Sequence, residues 1–192
     1  NHLGHWALTA HLIPNLLAAD AARVVTVTSF ARQTGRPVDP TNPHLRGNYD
    51  PWRAYGQSKL AKYHFAIGLD REFERHGASA SSIAAHPGLT NSDLQVRTVE
   101  ESDGRIGEFW KDAAARFGMT PSEGALPQVR AAVDPTVRGG QLYAPRFVSF
   151  GPPVRRPILR RFGLTQAIED LWKVSEQETG ISLAVEEARQ KA

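Results

Sequence analysis

Residues 23–29 read Arg-Val-Val-Thr-Val-Thr-Ser, and this run restricts the fold more than any other stretch of the sequence. Five of the seven residues are β-branched. Such side chains are stiff at χ1 and fit a pleated surface. The run has the length and content of a buried strand, as in a parallel sheet. What flanks it has helical character. Residues 3–19 carry Leu8, Leu12 and Leu16 on one side of a helix, with Pro14 as a bend. After a loop over 31–51, rich in Pro, Gly, Asn and Asp, a second helix is expected from about Trp52 to His76, stopped by Gly77.

The order then repeats. Ala78 to Ala85 reads as a short strand of mostly small residues, ended by His86, Pro87 and Gly88. Residues 89–119 are polar and mixed, with a short helix expected around Ile106 to Phe117. Thr120-Pro121-Ser122-Glu123 is a helix start, with a capping Thr, a Pro in the first turn and a Glu three after the cap, and its helix should reach about Val133. Gly139-Gly140-Gln141-Leu142-Tyr143 reads as a turn and a last short strand. Thr165 to Glu178 reads as a helix closed by Gly180, and the residues beyond as a polar, frayed tail. Strand, helix, strand, helix, strand is the order of a parallel α/β sheet with right-handed crossovers. Chemistry in such sheets gathers at the carboxyl ends of the strands.

The chain has 192 residues, 41% of them hydrophobic, enough for one domain with a core. Apolar clusters are broken by Pro14, Asp20 or Gly68, so no membrane-spanning helix is expected, and no secretory signal is read. There is no cysteine, which removes disulfides and thiolate metal sites and favours the cytoplasm. The net charge of +3 is partly local, in Arg155, Arg156, Arg160 and Arg161. A solvated loop or helix face is the ordinary reading of that cluster. Contact with an anionic membrane through residues 155–161 is the minority one. No aromatic residues interleave the basic ones, so nucleic acid is not an expected partner.

Several residues could carry chemistry. Tyr55 and Lys59 lie four apart and share a helix face. A phenol works as an acid or base near neutrality only if its anion is stabilised, and an ammonium one turn away does that. Ser29 ends the Val-rich strand, where a hydroxyl can donate to a carbonyl oxygen; a turn-forming serine is the plain alternative. Asn1 can anchor a water or a backbone group, or simply cap a helix. The turn at Pro87 and Gly88 can face a ligand amide or merely close a strand. The histidines lack metal-ligand spacing, and no Gly-x-Ser-x-Gly elbow marks a hydrolase.

Taken in order, Asn1-His2-Leu3-Gly4-His5, Val24 to Ser29, Ala54-Tyr55-Gly56-Gln57-Ser58-Lys59-Leu60-Ala61, His86-Pro87-Gly88 and Gly139 to Tyr143 resemble the short-chain dehydrogenase/reductase family, in its retinol-dehydrogenase-like bacterial oxidoreductase branch. The resemblance covers nearly the whole chain. It implies a Rossmann-type doubly wound parallel sheet of which only the carboxy-terminal, catalytic portion is present. It implies a catalytic tetrad of Asn1, Ser29, Tyr55 and Lys59. Tyr55 would give or take the alcohol proton, Ser29 polarise the carbonyl, Lys59 hold the nicotinamide ribose and stabilise the phenolate, and Asn1 anchor a water of the proton relay. Tyr55, Lys59, Pro87, Gly88 and Ser92 would contact NADP or NAD, and no metal is implied.

Two small departures are Thr28-Ser29 for the usual Ser-Ser pair and Ser92 for the usual Thr after the Pro-Gly turn. The large departure is the lack of a Gly-x-x-x-Gly-x-Gly stretch, so the residues that select NAD or NADP are expected upstream of Asn1. The expected activity is interconversion of an alcohol and a carbonyl, with a non-catalytic scaffold as the rival reading. Residues 89–119 and 147–180 would shape a substrate pocket or lid, and Phe109, Trp110 and Phe117 suit an apolar substrate. Residues 1–192 alone are expected to fold poorly and not to turn over. Both a monomer and a homo-oligomer paired through the two long helices fit the sequence.

Overall fold

The computed structural model describes residues 1–91, 118–158 and 162–190. Helix α1 spans Leu3–Ala18, strand β1 Arg23–Val27, and a 3-10 turn Phe30–Gln33. Helix α2 spans Pro51–Arg75, β2 Ser81–Ala85, α3 Pro121–Val133, β3 Leu142–Pro145 and β4 Pro153–Arg156. Helices α4, Leu164–Thr179, and α5, Val185–Arg189, complete the described elements.

Local chemistry explains the helix limits. At the start of α2, Asp50 accepts from the Arg53 amide at 2.7 Å and Pro51 stands at the first helical position. At its end, Gly77 takes φ +60° and the Ala78 amide donates back to the Phe73 carbonyl at 2.8 Å. Ala78 therefore closes a helix, and β2 begins three residues later than the sequence suggests. Helix α3 opens with a full capping box, Thr120 and Glu123 each bonding the other's backbone. Helix α4 ends at Gly180 with φ +67°.

The sheet order is β1-β2-β3-β4. Strands β1, β2 and β3 are parallel, with Val25 opposite Ile83 and Ala85 opposite Tyr143. Strand β4 runs antiparallel to β3, with Tyr143 opposite Arg155. This corrects the expectation that the strand at Leu142 is the last. It also corrects the placing of Arg155 and Arg156 in a loop or helix, since both lie on an edge strand. The tail expectation changes too: Val185 is buried against α1 and α2 and starts α5.

Side chains alternate across β2. Ala84 faces α2 and α4 with Leu60, Ile67, Leu142 and Ile168, whereas Ile83 faces α3 with Ala131, Val137 and Tyr143. A larger cluster joins Trp6 and Ile13 of α1, Phe65, Leu69 and Phe73 of α2, and Leu171 of α4. Helices thus cover both faces of the sheet, as near-continuous apolar strands require. Among the described residues, strand β1 pairs on one side only. Along its other edge runs a groove with Leu8, Leu12 and Leu16 of α1 on its wall.

Candidate active site

The carboxyl ends of β1 and β2 lie side by side. Val27 pairs with Ala85, so Ser29 and Pro87, each two residues further on, leave neighbouring strands at the same level. Helix α2 is fastened to this end in two ways. The buried Thr28 hydroxyl donates to the Lys59 carbonyl at 2.7 Å. Gly56 lets the backbone of the 3-10 turn approach closely, because a Cβ there would stand 3.2 Å from the Ala31 carbonyl oxygen. The turn of α2 that carries Tyr55 and Lys59 is therefore held over the strand ends.

Lys59 Nζ lies 5.3 Å from the Tyr55 ring centroid. Burial lowers the lysine pKa. Among the described residues Lys59 has no carboxylate partner, and its ammonium donors remain open to a polyhydroxylated ligand. Asn1 precedes the capping position of α1, which His2 occupies, so the helix-cap alternative does not hold. Its Nδ2 donates to Ser58 Oγ at 3.3 Å, and Ser58 Oγ donates to the Tyr55 carbonyl at 2.8 Å. Asn1 is thereby tied to the same turn of α2. Ser29 Oγ accepts from the Ala31 amide at 3.3 Å and caps the 3-10 turn. Its hydroxyl hydrogen has no acceptor among the described residues, so the same side chain can still donate.

Neighbouring histidines anchor this end. His2 Nε2 donates to Ser175 Oγ at 2.8 Å, because the Ser175 hydroxyl itself donates to the Leu171 carbonyl. Burial, then the nearby positive charges, hold His2 neutral with a pKa of about 4. Lys62 Nζ donates to His5 Nε2 at 3.2 Å, and burial followed by the charge of Lys59 brings Lys62 down to about 8.

Gly88, with φ +82°, sits where a Cβ would be 2.6 Å from the Ser149 carbonyl oxygen, so only glycine makes this turn. Asn1, Ser29, Tyr55, Lys59, Pro87 and Gly88 thus gather at one end of the sheet. Ser92, Phe109, Trp110 and Phe117 lie outside the described residues. Two contributors escaped the sequence reading. Thr28 appeared only as a departure from Ser-Ser, and His86, whose Nδ1 accepts from the Gly88 amide at 3.3 Å, appeared only as part of a turn. A cavity of about 120 Å³ opens beside the 3-10 turn, lined by Phe30, Arg32, Tyr63, His64, His86 and Arg156 among others, but not by Tyr55 or Lys59. No group of three or more potential metal ligands occurs among the described residues, and none of their helices is long and apolar enough to cross a membrane.

An ammonium beside a phenol, without a carboxylate partner among the described residues, suits the hydroxyls of a sugar. No family model matches the chain. Curated relatives do. A "Probable oxidoreductase" of Streptomyces lividans is 35% identical over 143 residues, covering 72% of this chain and 47% of the relative. "Dehydrogenase/reductase SDR family member 13" of Bos taurus is 31% identical over 184 residues, covering 94% of this chain and 46% of the relative. A crystal structure of an uncharacterized protein from Mycobacterium paratuberculosis matches with a TM-score of 0.70 and 32% identity, over 95% of this chain and 58% of that one. The chain spans about half the length of the curated relatives it matches. With retinol dehydrogenases also among its relatives, the chain belongs to the short-chain dehydrogenase/reductase family, in its retinol-dehydrogenase-like branch.

Proposed function

We propose that this chain is the catalytic portion of an NAD(P)-dependent oxidoreductase that interconverts an alcohol and a carbonyl. The observation that carries the reading is the Tyr55–Lys59 pair, held over the strand ends with an ammonium that has no carboxylate partner among the described residues. When bound, the nicotinamide supplies or accepts the hydride. Tyr55 Oη passes a proton to or from the substrate oxygen. Lys59 stabilises the negative charge that develops on that phenol, and its remaining donors hold the ribose hydroxyls. Ser29 Oγ, poised on its cap, donates to the carbonyl oxygen and polarises it. Asn1, oriented by Ser58, keeps its side-chain carbonyl for a relay water. Pro87 and Gly88, with Ser92, are the residues that would hold the nicotinamide when it is bound.

Three exposed aromatic residues favour an apolar substrate. Phe30 follows Ser29, and Phe147 and Phe150 pack together at 5.2 Å between ring centroids on the β3–β4 connection. Residues 89–119 and 147–180 would form the pocket and lid, within one domain over 1–192. The rival reading is a scaffold without turnover, and the capping role of the Ser29 oxygen is the observation in its favour. The test is to incubate the whole natural protein with NADH or NADPH and a panel of apolar aldehydes and ketones, and to follow nucleotide oxidation. Turnover with one nucleotide supports the enzyme. Nucleotide binding without turnover on any member of the panel supports the scaffold.

A further inference from the structure

His86 leaves β2 and is 3% exposed. Its Nδ1 accepts from the Gly88 amide, two residues ahead, in the manner of an Asx turn built with an imidazole. Because Nδ1 accepts, the proton of the neutral ring is on Nε2. That nitrogen is buried, in a side chain that lines the cavity beside the 3-10 turn and feels the Val148 carbonyl.

The same turn is also held by the connection between β3 and β4. The Leu89 amide donates to the Ser149 carbonyl at 2.8 Å, and that carbonyl is the group a Cβ on Gly88 would strike. Beside Ser149, Val148 has φ +70°, a strained conformation for a β-branched residue. It is kept there by local backbone bonds: the Val148 amide to the Pro145 carbonyl at 3.0 Å, and the Ser149 amide to the Phe147 carbonyl at 2.8 Å. Two consecutive amides, Gly88 and Leu89, thus find acceptors in the His86 side chain and in the strained loop.

We propose that His86 is a positioning residue, whose imidazole and the Ser149 carbonyl together clamp the turn at Pro87 and Gly88 and set the surface it offers to the nicotinamide. The cofactor part rests on the function proposed above. A proton-transfer role does not suit the ring: burial, and then the Arg32 charge, hold His86 at about 4 against the opposing pull of the Val148 carbonyl, with Lys59 a lesser influence.

The test compares His86→Phe with His86→Asn in the whole natural protein, because an Asn oxygen can accept from the same amide two residues on. Amide exchange at Gly88, normalised to Ile83 within β2, should rise about tenfold in His86→Phe and return towards wild type in His86→Asn, the effect of one hydrogen bond. Affinity for NADH or NADPH, measured by calorimetry, should fall with it and recover with it, while the pH profile of kcat stays unchanged. Should His86→Phe not fold, the wild-type imidazole nitrogen shifts decide the matter, with Nδ1 expected as acceptor and Nε2 protonated. A proton on Nδ1, or unchanged exchange at Gly88 in His86→Phe, overturns the proposal. Faster exchange with unchanged nucleotide affinity keeps the clamp but overturns the placing of this turn against the cofactor.

Discussion

The Thr28 hydroxyl donates to the Lys59 carbonyl oxygen across 31 residues of sequence, joining the end of β1 to the helix turn that carries Tyr55. Replacing Thr28 by Val keeps the shape and removes this bond. The Lys59 carbonyl retains its helical partner, so the loss should be about 1 kcal/mol in stability. Thr28→Ser keeps the hydroxyl and should cost less. Chemical denaturation of the three proteins checks the order, with turnover falling more than stability if the bond also orients Tyr55.

Gly68 is the point where α2 meets α4. A Cβ on Gly68 would run into the Trp172 ring and stand 2.8 Å from Ile168 Cγ2. Alanine improves helix propensity by about 1 kcal/mol, but overpacking costs about 1–3 kcal/mol. Gly68→Ala is therefore expected to destabilise by up to about 2 kcal/mol, and to shift the Trp172 fluorescence. An unchanged midpoint and spectrum would show that the helices separate freely here.

Much of the fold was open to sequence reading where the determinants are local. Asp50, Pro51 and Gly77 bound α2, Thr120 and Glu123 open α3, and the β-branched run marks β1. Strand β4 was missed because Arg155 and Arg156 suggest solvent; on an edge strand such charges are tolerated, and they protect the edge. Its available signal was Gly151-Pro152, a turn between two short runs. Helix α5 was missed because its five residues are mostly polar, and Val185 is buried in a cluster built from the distant α1, α2 and α4. Within the site, the spacing of Tyr55 and Lys59 and the order of the motifs could be read directly. The work of Thr28, and the tie from Asn1 to Ser58, depend on partners 31 and 57 residues away, which no local pattern specifies.

Asp70 is 5% exposed and accepts from the Ser82 amide at 3.0 Å, while Gly139 and Gly140 crowd its carboxylate. Burial raises its pKa from 3.8 to about 6, with Glu74 adding to the rise and the Ser82 bond opposing it. The folded state therefore binds a proton more tightly than the unfolded state. Stability should fall as pH rises from about 4 to about 6, by at most about 3 kcal/mol. Asp70→Asn keeps an acceptor for Ser82 and should flatten that part of the profile. Denaturation midpoints at pH 4, 5, 6 and 7 would show it, and equal slopes in both proteins would contradict the assignment.

The outer edge of β1 and the exposed Leu8 and Leu12 present unpaired strand groups and apolar surface together. Residues 1–192 in isolation should self-associate and show no turnover. Leu12→Glu or Leu8→Lys should slow the rise in light scattering severalfold. Scattering that is low and insensitive to both changes would mean that the edge is protected by other means.

The most direct test of the proposed chemistry is Tyr55→Phe in the whole natural protein, assayed beside wild type with its active nucleotide and carbonyl substrate. The account predicts a loss in kcat of at least about 100-fold, with nucleotide affinity nearly unchanged because Lys59 and the turn at Gly88 remain. Turnover by Tyr55→Phe equal to wild type would contradict it.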